Sequence, residues 1–363
     1  MVKAGCLGLL FFGLLTGLFP TAGRTQETPA TLSDWKSTTP MDGSRTSLTA
    51  FVAHNRLYIL GGLRASGNDI KLYDDVQVAE LGNDGAIVPS GWQKIRSLPS
   101  ARSGHGSIVV DERVYVIGGY SAQGTLGDVY VASIEQNGQI GPWTQSPNHL
   151  NISRSNFSLE AWKSSSGTTF LLAIGGVDQV GPDTVHFDEV EAAPITEDGS
   201  VGVWKVCSFH IKGGRSAPAT AVVGNTLFVL GGWGDRLDDV FGDIQSAALR
   251  DDGCPDPWST SARGLTLPVY GHAAVPVSVD GSMVFFVLGG NAGQGNYLNT
   301  VQAGLLSKDG AFEKFGFDKH LFSIARWGFA TARYADFIYV VGGAQRGGDG
   351  YLSDVQFSSV SAP

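Results

Sequence analysis

The chain has 363 residues, 42% of them hydrophobic and only 16% charged, with a formal net charge of −9 and a pI near 5.2. That balance excludes a disordered charged tail and a coiled coil, and its acidity argues against a nucleic-acid or anionic-membrane binder. Glycine is the outlier at 50 residues, about twice the usual share and without a G-X-Y period, which points to many tight turns between short strands.

At the N-terminus, Lys3 precedes an apolar run from Leu7 to Phe19 that Pro20 breaks, and the small residues Thr21, Ala22 and Gly23 follow. The run is too short to span a bilayer and suits the core of a cleaved signal peptide over residues 1–23, so a secreted or periplasmic protein is expected. Cys6 lies before the apolar run instead of after it, which argues against a lipid anchor. No later segment is long and apolar enough to cross a membrane. Cys207 and Cys254 remain in the expected mature chain, and both a disulfide and two free thiols stay open.

From residue 31 on, one unit repeats. An apolar, β-branched and aromatic run ends in Gly-Gly at Gly61, Gly118, Gly175, Gly231, Gly289 and Gly342, with spacings of 57, 57, 56, 58 and 53 residues. Such a run reads as a strand buried on both faces. An Asx-Gly hairpin signal keeps step at Asp84, Asn137, Asp198, Asp252 and Asp309. A large ring follows each one: Trp92, Trp143, Trp204, Trp258 and, in the last slot, Phe315. An Arg opens the next unit at Arg102, Arg154, Arg215 and Arg326. Each unit therefore holds four antiparallel strands, and six sheets that cannot bury both faces alone can do so around an axis. After Gly343 only one strand remains. The missing outer strand, with Trp35 and then Arg45, stands at the N-terminus. The expected fold is all-β: a six-bladed propeller over residues 24–363 as a single domain, its last blade closed by the N-terminal strand, which removes an exposed edge.

The Gly-Gly after strands carrying Tyr58, Tyr115 and Tyr339, the spaced Trp, and the Arg-Ser-Gly-His at Arg102 to His105 resemble the kelch repeat, whose units run about 50 residues. The span from Asp198 to Trp204 looks like the exported bacterial kelch-like proteins. The departures are Val269 where Arg is expected, Leu172 in place of Tyr, and an insert from Val177 to His186.

Alternating strand direction puts the Arg-bearing connections and the loops after Gly-Gly on one face. Arg45, Arg102, Arg154, Arg215 and Arg326 are expected around that mouth, joined by the loop residues Arg64, Tyr120, Trp233, Arg236, Asn291 and Arg346. Guanidinium groups and aromatics around a concave opening suit carboxylate, phosphate or carbohydrate. The kelch resemblance implies acidic peptide contacts for the five repeated arginines. An Arg in nearly every blade equally suits a brace that bonds backbone carbonyls, and both roles can coexist. His105 and His272 read as packed core residues; no metal set or cofactor is expected. The acidic turn at Asp251 and Asp252 and the run Asp235 to Asp243 read as solvated turns. The sequons at Asn151 and Asn156 read as chance.

Nothing supplies a convincing nucleophile–base pair, phosphate loop or metal set. The expected function is a non-catalytic, monomeric recognition module for a protein or carbohydrate ligand, with an acidic ligand included. The alternative is a sugar-acid mutarotase, implied by resemblance to the sialic acid mutarotases, with Asp178, Asp235 and Glu189 as loop carboxylates that could reach a substrate. A copper radical oxidase is disfavoured because Cys207 and Cys254 fall far from the axis.

Overall fold

Each run ending in Gly-Gly becomes the second strand of an antiparallel sheet. Six such sheets surround one axis in the computed structural model, which describes residues 30–361 except 68, 181–182, 237–238, 314 and 347–349. The predicted leader, residues 1–23 with Cys6, lies outside the described residues. From the axis outward, blade I holds Thr49–Ala53, Arg56–Leu60, Val76–Glu80 and Gln93–Ile95. Blade II holds Gly106–Val110, Arg113–Ser121, Gly124–Ser133 and Thr144–Gln145, and blade III holds Ser158–Lys163, Thr169–Ile174, Val190–Pro194 and Lys205–Val206. Blade IV holds Ala219–Val223, Thr226–Leu230, Ile244–Ala248 and Ser259–Thr260, and blade V holds Ala273–Val279, Ser282–Asn291, Tyr297–Leu306 and Gly316–Phe317. Blade VI holds Ala330–Tyr334, Phe337–Val341 and Val355–Ser361. Its outer edge comes from the other end of the chain: Lys36–Thr38 and Thr31–Leu32 both pair with Val355–Ser361. The closure expected from the repeat arithmetic is thus present. Among the described residues there is no helix.

Side chains alternate across a strand, so each second strand feeds two cores. Leu57 and Ile59 pack with blade VI, whereas Tyr58 and Leu60 pack with blade II. All six buried clusters are shared this way by neighbouring blades. The tyrosines explain why they recur with the Asx-Gly turns. Tyr58, Tyr115 and Tyr339 donate their hydroxyls to the carbonyls of Gly138, Gly199 and Gly85, each in the turn of the next blade. Burial pushes the Tyr58 hydroxyl up to about 12, so it remains a donor across the physiological range.

The Gly-Gly pairs stitch the ring. In all six, both glycines have positive φ, and a Cβ on the first would lie 2.4 to 3.1 Å from a carbonyl oxygen of the following blade. The second glycine donates its amide to that same carbonyl, on Arg102, Arg154, Arg215, Val269, Arg326 or Arg45, at 2.8–2.9 Å. Glycine is required here by close approach as much as by backbone angle. A disulfide between Cys207 and Cys254 settles the cysteine alternatives and ties the outer end of blade III to the turn of blade IV.

Candidate functional site

The repeated arginines are braces. Arg45, Arg102, Arg154, Arg215 and Arg326 are at most 1% exposed. Each donates to the carbonyl of the first glycine of its own blade, at 2.7–3.1 Å. Each also pairs with a carboxylate at the foot of the third strand: Asp75, Asp128, Glu191, Asp243 and Asp354 respectively. Arg45 and Arg215 spend all five N–H donors inside the protein. Their planes also lie over Tyr73 and Phe241, at 3.7 and 3.8 Å. Burial alone would raise the Asp75 carboxyl, but the Arg45 hydrogen bonds and charge outweigh it and hold it below the usual range. None of these guanidinium groups is presented to the mouth, and each brings its own counter-charge, so the expected basic ring of five is absent from the surface.

A second brace keeps step with the first. Gln77, Gln245 and Gln356 follow the brace aspartates by two residues, and Gln302 holds the same place in blade V. All are at most 1% exposed. Gln77, Gln245 and Gln302 bond both the amide and the carbonyl of a single residue in the incoming connection, namely Asp42, Lys212 and Leu267. In blade III, Glu191 takes this place and accepts from the amides of Asn151 and Ile152 as well as from Arg154.

Two residues past each brace position, Ser47, Gly104, Asn156, Ala217, Gly271 and Gly328 all adopt left-handed backbone angles, with φ between 47° and 61°. Each donates its amide to the carbonyl of its counterpart in the preceding blade, and Ser47 donates to Gly328, so six bonds of 2.6–2.9 Å close a circle. This circle joins all six blades and is the backbone floor of the Gly-Gly mouth.

Above the floor, the mouth has two unlike halves. The residue following the brace position is Thr46, Ser103, Ser155 and Ser216 in blades I to IV, but Tyr270 and Trp327 in blades V and VI. Trp233 stacks on Tyr270 at 5.7 Å between centroids, Tyr270 meets Trp327 edge-on at 5.7 Å, and Trp327 lies 6.1 Å from Tyr297. All four rings are partly exposed. The Trp327 indole N–H is buried without a hydrogen-bond partner among the described residues. Of this arc, sequence reasoning named only Trp233; the aromatic break in a row of small hydroxyl residues was the missed signal. Asn291 is 3% exposed and orients the arc by donating to the Tyr270 hydroxyl at 2.6 Å.

The other expected loop residues scatter around this face. Arg64 is on a small hairpin, Leu63–Ser66 with Asp69–Leu72, over blade I. Tyr120 is exposed on blade II, Arg236 is exposed in the loop after Trp233, and Arg346 is exposed beside Tyr297. Arg346, Tyr297, Asn296, Ser323 and Gln345 line a cavity of about 380 Å³ at the end of the arc. A cavity of about 540 Å³ on blade II is lined by Asp128, Gln145, Ser146, His149 and Ser153 among others. The insert after Val177 forms the hairpin Val177–Val180 with Asp183–His186. His186, at its end, donates from Nδ1 to the Asp235 carboxylate at 2.9 Å and meets Trp233 edge-on at 5.2 Å. Its Nε2 is buried with no partner among the described residues. Asp188, Glu189 and His210 bring possible ligand atoms within 4.8 Å of one another on the rim of blade III.

His105 and His272 are buried in the core, as read from the sequence. Burial, helped by the Arg102 charge, pushes His105 down to about 3, and burial does the same to His272, so both stay neutral. Asp252 spends its carboxylate on Lys205, the Cys254 amide and Arg250. The Asn151 side chain is bonded to Glu191 and to the Trp204 carbonyl. The large rings of the repeat pack in or against the cores. Trp92 and Trp258 donate to backbone carbonyls, while the indole N–H groups of Trp35, Trp143 and Trp204 are buried without a hydrogen-bond partner among the described residues.

Residues 101–135 match the family model of the Kelch motif. No curated protein matches the chain. Among solved structures, one titled "Structure of YjhT" is similar with a TM-score of 0.62 at 15% identity, covering 87% of this chain and 95% of that one. At that identity the likeness concerns the fold alone.

Proposed function

Taking as premise that the chain carries a kelch repeat and closes as a six-bladed kelch-like propeller, we propose that it is a non-catalytic recognition module whose ligand is a carbohydrate, bound on the aromatic half of the Gly-Gly mouth. The observation that carries this reading is the partly exposed arc of Trp233, Tyr270, Trp327 and Tyr297 above the backbone floor. Aromatic faces stack on the apolar C–H face of a sugar ring, while polar groups orient its hydroxyls. Asn296, Gln345 and the Arg346 guanidinium stand at the end of the arc, and Arg346 suits a carboxylate on an acidic sugar. With the five repeated arginines spent internally, a purely acidic peptide finds fewer donors here. We place the protein, as a monomer, in an exported compartment, supported by the N-terminal pattern and by a disulfide that persists under oxidising conditions.

The test is tryptophan fluorescence and calorimetry against a panel of neutral and acidic glycans. A binding glycan should lose roughly 5- to 150-fold in affinity with Trp327→Ala and Trp233→Ala, the loss expected when a ring anchor of about 1–3 kcal/mol is removed. A panel in which nothing binds, or a ligand indifferent to both variants, sinks the reading. A second reading, a sugar-acid mutarotase, draws support from His186, which Asp235 orients beside Trp233 and whose Nε2 lacks a partner. Anomer exchange of free sialic acid followed by proton NMR separates the two, since a recognition module gives no acceleration over buffer.

A further inference from the structure

The six inner strands that ring the channel carry only three charged residues: Glu160, Lys163 and Arg333. Lys163 and Arg333 are exposed near the far ends of their strands, and Arg333 is held by the carbonyls of Ala335 and Pro276. Glu160 is different. It sits mid-strand, opposite Leu172 in register, at the junction with the inner strand of blade IV, and is half-buried. At the same register position the other five blades place Ile108, Phe51, Ala221, Val275 and Ala332. Among the described residues its hydrogen-bond partner is one hydroxyl: Thr220, on the inner strand of blade IV, donates to it at 2.6 Å. No charged residue lies on the strands beside it, Gly106–Val110, Thr169–Ile174 and Ala219–Val223. The outer end of this junction is closed by Cys207–Cys254 and Lys205–Asp252, and its mouth end carries His186–Asp235.

We propose that the inner end of the junction between blades III and IV is a proton-operated seam, closed while the Glu160 carboxyl keeps its proton and loosened when it ionises, with the disulfide holding the outer end. A neutral carboxyl accepting one hydroxyl bond fits a low-dielectric wall. An anion there has no cation to pair with and draws water into the channel side of the junction. Burial raises Glu160 to about 7, against a small opposing effect of the Thr220 bond, so the seam changes state near neutrality. The sign follows from linkage. The folded state holds this proton more tightly than the unfolded one, so closure is strongest at acid pH and is lost as pH rises through about 7.

The experiment is amide hydrogen exchange on the full protein at pH 5.5 and pH 8, corrected for the intrinsic pH dependence. Protection in Ser158–Lys163 and Ala219–Val223 should fall roughly thirtyfold at the higher pH, while Thr49–Ala53 keeps its own. Glu160→Gln should remove the difference. Glu160→Leu, which installs the apolar character of the other blades, gives the same comparison if the glutamine variant folds poorly. With the disulfide reduced, the pH-dependent loosening should spread to Lys205–Val206. An equal pH response in wild type and both variants, or a loss shared by all six inner strands, overturns the proposal.

Discussion

Blades IV and V are neighbours with the same four strands, yet only one carries the brace. In blade IV, Arg215 ties the Gly231 carbonyl to Asp243. In blade V, Val269 stands in the Arg position and Thr300 in that of the aspartate, so both partners are missing together. The backbone does not register the loss: the Val269 amide donates to the Phe241 carbonyl, and its own carbonyl accepts from Gly232, as at every other junction. The Gln brace also survives, with Gln302 bonded to Leu267. The comparison teaches that Gly-Gly and the backbone define the blade. The guanidinium–carboxylate pair is an addition that can be dropped when both halves are dropped at once. A buried pair replaced as a unit by apolar or small neutral groups costs little, whereas half a pair is expensive.

That asymmetry sets the largest effect. Arg215→Ala should cost about 3–5 kcal/mol in urea unfolding, because it leaves the Asp243 carboxylate without its counter-charge, Gln245 alone still donating to it, and the Gly231 carbonyl without its side-chain donor. The double change of Arg215→Val with Asp243→Thr, which copies blade V, should recover much of the loss. Equal costs for the single and double variants would break the comparison. Next comes the covalent tie that blade V lacks. Replacing Cys207 and Cys254 by Ala opens a loop of 47 residues, and chain entropy puts the loss at about 2–4 kcal/mol by thermal or urea unfolding. A smaller and pH-dependent effect belongs to the blade III side of the same junction. Glu160→Gln should stabilise the protein by roughly 1–3 kcal/mol at pH 8 and leave it unchanged near pH 4.5, since the cost of ionising Glu160 accrues only between those limits. A gain of the same size at both pH values would assign it to packing instead.

The repeat itself was readable because Gly-Gly, Asx-Gly and the large ring recur at nearly fixed spacing, and each is demanded by backbone geometry or by a blade-to-blade core. Even the closing strand followed from counting, since Trp35 and Arg45 supply what is missing after Val355–Ser361. The roles at the mouth were less readable. An Arg at the head of an inner strand looks the same whether it faces solvent or a carboxylate 26 to 37 residues onward. Only the register of the third strand brings Asp75 or Glu191 beneath it. The aspartates and the Gln two residues later did keep step with the repeat, so their periodicity could have pointed inward. The aromatic arc was hidden for another reason: only Tyr270 and Trp327 share a position in the unit, Trp233 and Tyr297 come from other positions, and a periodic reading treats such residues as departures.

Blade V also yields the smallest effect, and it tests whether the missing brace left a scar. The Thr300 hydroxyl oxygen is buried without a hydrogen-bond partner among the described residues, at the position where the other blades place a carboxylate for their Arg or, in blade III, Glu189. A buried unpaired hydroxyl costs about 1 kcal/mol or somewhat more, and removing it without changing shape returns that cost. Thr300→Val keeps the branched outline and deletes only the polar atom, so it should raise stability by roughly 0.5–1 kcal/mol, read as a higher urea midpoint at unchanged slope. The matching change in blade IV, Asp243→Val, should instead be strongly destabilising, because it strands the Arg215 charge. If Thr300→Val lowers the midpoint, the hydroxyl has a partner such as ordered water. Blade V would then retain a polar vestige of the brace in place of a clean substitution.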